Sequence, residues 1–552
     1  MNLSRWPAVV ILAGLVTAAW VVDRDHDRVE EAGLEVETPL EALGYLPVAA
    51  PDDAISSTWY CGGGTADADG SADVTIVVAN ATDRDLSGTM TIFSNIAPQL
   101  VAETDENGQP IEPADDTTGE DDDGEDDGAT TTTTTTAPAQ EPQLPVTIDL
   151  EVGAADRTEV RLGDEVSSDF AAALVELPGG AVAVEQRVEG EHGADVAPCT
   201  STPSATWYFA DGRTTADAVE HLAFFNPFPD AATVDVTIRT ESDLRTPVQF
   251  TGYTVPGQTL VVEDIGDVVP RHEHVSVAVV ARSGRLVVNR LLELDGEEDV
   301  DGNVGPRGLD VSAGAALPAL TWFFPDGIVT EGVGETYVVY NPNETAAEVD
   351  LFVEPDDEAF GAIEPFTLSI PPGGFQEVAL PEEERIGTAI SNADDVEPVL
   401  RHSARVVSVN GIPVVAERVT DGGPGSARPG FDMTFGSPLL MEEAVIASSS
   451  DDQSVIVANP SGSTPVRVTF RSLDGGTLGE SAAATDLEVP VAGRLVVSLD
   501  DLGFGPDVAL LVTADGPVTI ERRLALGEPL DTSAAIAVPL AGTVSEPEPQ
   551  FG

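Results

Sequence analysis

TWYFADG, residues 206–212, returns as TWFFPDG at 321–327 and, altered, as TWYCGGG at 58–64. Near-copies at domain-sized intervals mark an array of like units rather than one large core. Three further columns keep the copies in register. An Asn closes an apolar strand at Asn80, Asn226, Asn341 and Asn459, with Pro after the last three; a Pro cannot donate to a ladder, so the strand stops there. A Pro-Gly-type turn follows at 256–257 and 371–373, and a late strand ends in a polar residue and Arg: Asn289-Arg290, Glu417-Arg418 and Glu521-Arg522, with Glu185-Gln186-Arg187 in the first repeat.

Between these columns run short apolar alternations bounded by Gly, Pro, Asn and Asp, such as VDVTI at 234–238 and VRVTF at 466–470, the pattern of strands and turns. Helical spacing is rarely sustained. The expected fold is all-β: a tandem array of about four immunoglobulin- or fibronectin-like β-sandwich domains behind one N-terminal transmembrane helix. The boundaries read 57–204, 205–318, 319–438 and 439–552.

The first and last repeats depart from the pattern. From the Asn to the Arg column the distance is 64, 77 and 63 residues in repeats two to four but 107, to Arg187, in repeat one. Most of the excess is an acidic and Thr-rich stretch at 98–143, read as a disordered insert at a hairpin tip, where added length costs least; its seven consecutive Thr suit either an O-glycosylated segment or a plain spacer. In repeat four LMEEA (440–444) replaces the Trp motif, as in a terminal repeat whose outer face has no neighbour. LDTSAAIAVP (530–539) copies LDVSAGAALP (309–318).

Acidic residues number 97 against 25 basic ones, and no Lys occurs, giving a net charge of −72. That excludes nucleic acid, which needs cations to replace phosphate counterions, and docking on anionic headgroups; the charge otherwise keeps the surface solvated. Residues 6–22, WPAVVILAGLVTAAWVV, form an uncharged apolar run at the short end of a membrane span. We read 1–23 as a signal anchor in preference to a cleaved signal peptide, with 24–56 as a stalk. The chain is then a single-pass cell-membrane protein with its N-terminus inside and its bulk extracellular, or a secreted one if the signal is cleaved.

Few residues suggest chemistry. The two cysteines, Cys61 and Cys199, are expected to form a disulfide in an exported chain. Trp59, Trp207 and Trp322 suit sugar stacking, but their fixed place in a repeat favours packing. Asp-rich turns at 67–73 and 299–303 lack the helix-flanked calcium loop's Gly and Glu, and His272 and His274 lack a third ligand. No metal, cofactor or catalytic residue is assigned. Motifs for nucleophile elbows, phosphate loops and dinucleotide binding are missing from the sequence.

At the Trp motif and the Asn-Pro strand the chain resembles an uncharacterised family of actinobacterial envelope proteins sharing W-Y/F-F-x-D/E-G and an N-P strand. The resemblance covers repeats one to three well and repeat four in part, and implies an exported or membrane-anchored protein without a known activity. The function expected is a non-catalytic structural, adhesive or scaffold role at the cell envelope, with protein or polysaccharide partners. A carbohydrate-binding accessory of envelope polysaccharide assembly, using exposed Trp motifs, is the alternative.

Overall fold

Ala232–Thr240, ATVDVTIRT, buries every second side chain, so one face of the strand needs a second sheet to cover it. The computed structural model describes residues 44–67, 70–96, 144–296, 305–393, 397–461, 463–475, 485–506 and 508–547, all within one compact unit, 41–552. They are almost entirely strand; the only α-helices among them are α1 (Glu384–Asn392) and α2 (Leu499–Leu502).

In the first sandwich eight strands divide between two sheets: β1 Ser56–Ala66, β2 Asp73–Asn80, β3 Leu86–Ile96, β4 Val146–Val152, β5 Asp156–Arg161, β6 Ser168–Pro178, β7 Val182–Glu189 and β8 Ala194–Pro198. Antiparallel pairing gives the order β1-β6-β3-β4 in one sheet and β5-β2-β7-β8 in the other. The second sandwich, Thr206–Phe209 to Arg307–Ala313, and the third, Thr321–Phe324 to Gly430–Phe435, repeat that order. In the fourth, one long strand, Ala509–Leu526, serves as sixth and seventh strand together. The insert leaves between β3 and β4, a paired hairpin with Ile92 opposite Val146; residues 98–143 themselves lie outside the described residues.

The four sandwiches are not strung out. Their last strands, β8, Arg307–Ala313, Gly430–Phe435 and Asp531–Ile536, stand around a common axis, each packed on the next and the fourth on the first. The chain therefore closes into a ring. This overturns the expectation that repeat four is atypical for want of a neighbour: the first sandwich covers it. Its opening strand, Leu440–Ile446, is present and pairs with Ala509–Leu526 through a register shift between Met441 and Glu443, with Ala444 at the position of the Trp in the other repeats.

Closure also recruits part of the expected stalk. Ala49 pairs in parallel with Leu540, Val48 N–H donates to Ser201 Oγ at 3.0 Å, and Ala181 N–H donates to Ala50 O. Residues 44–54 are thus built into the ring, where the N-terminal and C-terminal segments meet. No helix among the described residues is long and apolar enough to cross a membrane; residues 6–22 lie outside them. The cores are shared across borders: Leu291, Leu309 and Val311 of the second sandwich and Val445, Ala447 and Val538 of the fourth lie in one cluster with the core of the first.

Candidate functional site

The polar columns of the sequence converge on the ring's junctions. Four residues before the closing Asn of each second strand, the partner on the seventh strand is Gln186, Arg290, Arg418 or Arg522. Gln186, not Arg187, therefore occupies the first repeat's position; Arg187 points elsewhere, to Glu159 and Glu189. The neighbouring column is Glu185, Asn289, Glu417 and Glu521. Each Arg reaches the Glu of the next sandwich: Arg290 to Glu417 at 3.3 Å, Arg418 to Glu521 at 2.6 Å, and Arg522 to Glu185 at 3.5 Å, which closes the ring. Each Glu also accepts the backbone N–H of the residue four beyond the Trp position: Asp211, Asp326 and Ser448.

All of these side chains are buried. Burial opposes the charge on Arg290, but Glu417, Asp310 and Glu220 hold it firmly protonated. With three carboxyls around one guanidinium, burial leaves Glu220 pushed up to about 8. The first-to-second junction differs: Gln186 and Asn289 put neutral amides where the others put an ion pair. Gln186 accepts the Gly63 N–H at 2.9 Å, and Asn289 lies against Gly62, where a Cβ would fall 2.1 Å from its Cγ.

Strands that face each other across the axis cannot all pair by backbone, and side-chain oxygens, three carboxylates and one hydroxyl, bridge them instead. Val311 N–H donates to Asp195, Met433 N–H to Asp310, Ala534 N–H to Asp432 and Val196 N–H to Ser533 Oγ. The equivalent of Asp310 is thus Ser533, so the sequence copy 530–539 is displaced by two residues from the alignment that its wording suggests. Asp531 instead shares its layer with Gly193, Gly308 and Gly430. Its carboxylate accepts N–H groups from all three other sandwiches, Ala194 at 3.2 Å, Leu309 at 2.9 Å and Phe431 at 2.9 Å. The three glycines make room: a Cβ on Gly193 or Gly430 would fall 2.0 or 1.8 Å from an Asp531 oxygen. Burial raises Asp531, against the pull of these donors, and raises Asp432 and Asp195, the last to about 7 with help from Asp310.

The remaining sequence-marked residues act within sandwiches. Trp59, Trp207 and Trp322 are 1 %, 1 % and 0 % exposed, and the Nε1–H of Trp207 and Trp322 donates to Leu286 O and Val414 O. Stacking on sugar needs an open indole face, so these motifs do not form a glycan platform. Each closing Asn is a clamp: its Nδ2 donates to carbonyls of two separate turns, Arg84 and Gly153 for Asn80, Asp230 and Val255 for Asn226, Thr345 and Ile370 for Asn341, Thr464 and Pro490 for Asn459.

Cys61 and Cys199 are disulfide-bonded. At the same two positions the second and third sandwiches seat Phe209 over Gly314 and Phe324 over Gly436, where a Cβ would come 2.8 Å from the ring. His274 is held by Asp211 at 3.1 Å and by Glu377 of the third sandwich at 3.0 Å, and His272 by Glu241. Both histidines thus contact carboxylates, and no group of three or more His, Cys, Asp or Glu among the described residues is placed to hold a metal. The Asp-rich turn at 299–303 lies outside those residues.

The axis ends in two unlike cavities. At one end residues of all four sandwiches wall a cavity of ≈ 970 Å³ whose charged lining among the described residues is His192, Arg307, Arg428, Arg523, Asp421 and Asp452. At the other, Trp207, Trp322, Met433 and Phe435 wall an apolar chamber of ≈ 90 Å³ that residues 44–47 help to line.

Residues 176–498 match DUF5719, a family of unknown function. The chain belongs to that family. The match begins in β6 of the first sandwich and runs to the end of Gly493–Ser498 in the fourth, so the matched part includes one buried pair, Arg290–Glu417, and the second and third sandwiches entire. No curated protein matches the chain.

Proposed function

We propose that the chain is a non-catalytic extracellular protein of the cell envelope, a rigid scaffold of four immunoglobulin-like sandwiches held to the membrane by the apolar run at residues 6–22. One observation carries the scaffold reading: the ring's conspicuous buried polar side chains, three Arg–Glu pairs and the axial Asp531, are spent joining one sandwich to another. Groups committed to such contacts fix geometry and leave little for turnover. The disulfide supports an oxidising compartment, and the net charge of −72 suits a solvated outer surface. The burial of Trp59, Trp207 and Trp322 removes the motif on which a carbohydrate-binding accessory role rested.

Expression of the full chain in a bacterial host, followed by membrane fractionation and protease treatment of intact cells, tests the reading. The ring should fractionate with membrane, be shaved from outside as a protease-resistant core, and contain no alkylatable thiol. Recovery in the cytosol with two free thiols would sink it.

A further inference from the structure

We propose that the junction between the second and third sandwiches is an acid-tightened joint, closed fully only while the Glu220 carboxyl carries a proton. Six residues before the closing Asn, the second strand bears Val74, Glu220, Glu335 and Gln453 in the four sandwiches. The second and third thus hold the same acid in the same place, both buried, but in unlike surroundings. In the third, Glu335 accepts the Tyr337 hydroxyl at 2.9 Å and the Ile328 N–H at 2.7 Å, and His402 Nε2 stands 3.0 Å from it. In the second, Leu222 and Val275 take the places of Tyr337 and His402 and offer a carboxylate nothing. Glu220 Oε2 accepts the Arg213 N–H at 2.8 Å, over Gly212, where a Cβ would fall 2.5 Å from either oxygen. Its Oε1 is buried without a hydrogen-bond partner.

Nor does Glu220 have a cation of its own. The charged groups around it are Arg290 on the adjoining strand, Asp211 of the Trp motif and Glu417 of the third sandwich. Arg290 is already engaged by Asp310 at 3.0 Å and by Glu417 at 3.3 Å, and Asp211 by His274, which reaches on to Glu377. An ionised Glu220 therefore sets a third carboxylate against one guanidinium in a closed site, where a charge without its partner is heavily penalised. Burial outweighs Arg290 and the Arg213 N–H, with Asp211 and Glu417 on its side, and carries Glu220 up to about 8. Its counterpart goes the other way: burial opposes the charge on Glu335, but His402, Arg418 and the Ile328 N–H prevail and lower its pKa.

Glu220 is enclosed by the junction, so its proton passes to solvent only when the joint opens, and opening is thereby coupled to pH. The folded value lies above the ordinary 4.5, so the closed joint holds the proton more tightly than the open one. Its stabilisation is complete below pH 4.5 and is lost as the pH rises to about 8, beyond which both forms are ionised and the dependence ends.

Hydrogen exchange of the full chain, followed by mass spectrometry from about pH 5 to 8.5 and corrected for the intrinsic pH dependence of exchange, tests the joint. The peptide to follow spans 208–214, where the Asp211 N–H donates to Glu417. In the wild type its protection should fall as the pH rises to about 8. Glu220→Gln, which keeps the shape and cannot ionise, should make that fall shallower by up to about tenfold per pH unit, the share of one linked proton. Glu220→Val, with the side chain that the first sandwich has at Val74, should do the same and carries the test if the amide disturbs the packing. A merely structural role shifts protection by one factor at every pH, so equal pH slopes in the wild type and both variants overturn the proposal. So does a change of slope that appears equally at 466–473 of the fourth sandwich, because the proton then belongs to global unfolding and not to this joint. Neither outcome bears on membrane location, which fractionation tests separately.

Discussion

Two kinds of junction hold this ring. Between the second and third, third and fourth, and fourth and first sandwiches a buried Arg meets a buried Glu of its neighbour. Between first and second the same positions hold Gln186 and Asn289, and the joining is done otherwise: β3 pairs in parallel with Thr259–Asp264, Phe93 meets Phe225 at 5.0 Å between ring centroids, and the Cys61–Cys199 bond fixes the exit of the first sandwich beside its first strand. Continuous sheet and apolar contact are enough for adhesion, so the ion pairs serve another end. A buried pair adds little net stability, whereas a buried charge without its partner is heavily penalised. We infer that the pairs set which sandwich sits beside which, while packing supplies the stability.

The largest expected effect breaks one pair from one side. Arg418→Met leaves Glu521 buried without its cation, and Glu521→Gln leaves Arg418 without its anion; each should cost about 3–5 kcal/mol. The double variant should cost less than the sum, the signature of coupled partners. Denaturant unfolding of the two singles and the double checks this, and strict additivity would contradict the pairing.

Next is the disulfide. Its sequence separation of 138 residues sets an upper figure of about 5 kcal/mol on the loop-closure model. Cys61→Ala with Cys199→Ala loses that and leaves space unfilled. Cys61→Phe with Cys199→Gly installs instead the ring-on-glycine contact of the second and third sandwiches, and should be more stable than the double alanine variant by about 1–3 kcal/mol. Equal thermal midpoints would mean that the first sandwich does not accept its siblings' packing.

Converting the neutral junction is a smaller and sharper test. Gln186→Arg or Asn289→Glu alone buries an unpaired charge and should destabilise by about 2–4 kcal/mol. The combination should recover at least half of that if the site shares the geometry of the other three. Gly62, close against Asn289, sets the room available, so failure to recover would locate the difference in that contact.

The sequence carried the strands, the four-fold repetition and the disulfide, because local alternation and repeated motifs are written in neighbouring residues. The ring was not legible, since its contacts join residues such as Glu185 and Arg522 that lie far apart in the chain. Register at the repeat ends was misleading for a related reason. Ala-rich text around 534–537 aligns almost equally well two residues either way, and only the N–H donated by Ala534 to Asp432 fixes Ser533 opposite Asp195. Likewise the letter of Arg187 matches the Arg of the other repeats, while strand pairing assigns the place to Gln186. Ala444 carries no trace of the Trp that it replaces.

The smallest effect concerns a contact at the rim of a paired junction rather than in its interior. His274 keeps 20 % of its side chain exposed and links Asp211 of its own sandwich to Glu377 of the next. Burial alone would lower its pKa, but the hydrogen bonds to those two carboxylates carry it up to about 10, and Glu377 is lowered in return by the same bond. The folded value stands above the ordinary 6.5, so the folded chain holds this proton more tightly than the unfolded one. Its contribution is complete below pH 6.5 and disappears as the pH rises from there through about 10. Solvent screening at a partly exposed site reduces the effect to about 1 kcal/mol. His274→Gln should therefore lower stability at pH 6 and converge with the wild type near pH 10.5. The Phe375 ring packed on the imidazole contributes at every pH, so a residual constant offset measures that packing, whereas an offset with no pH dependence at all would remove the imidazolium from the junction.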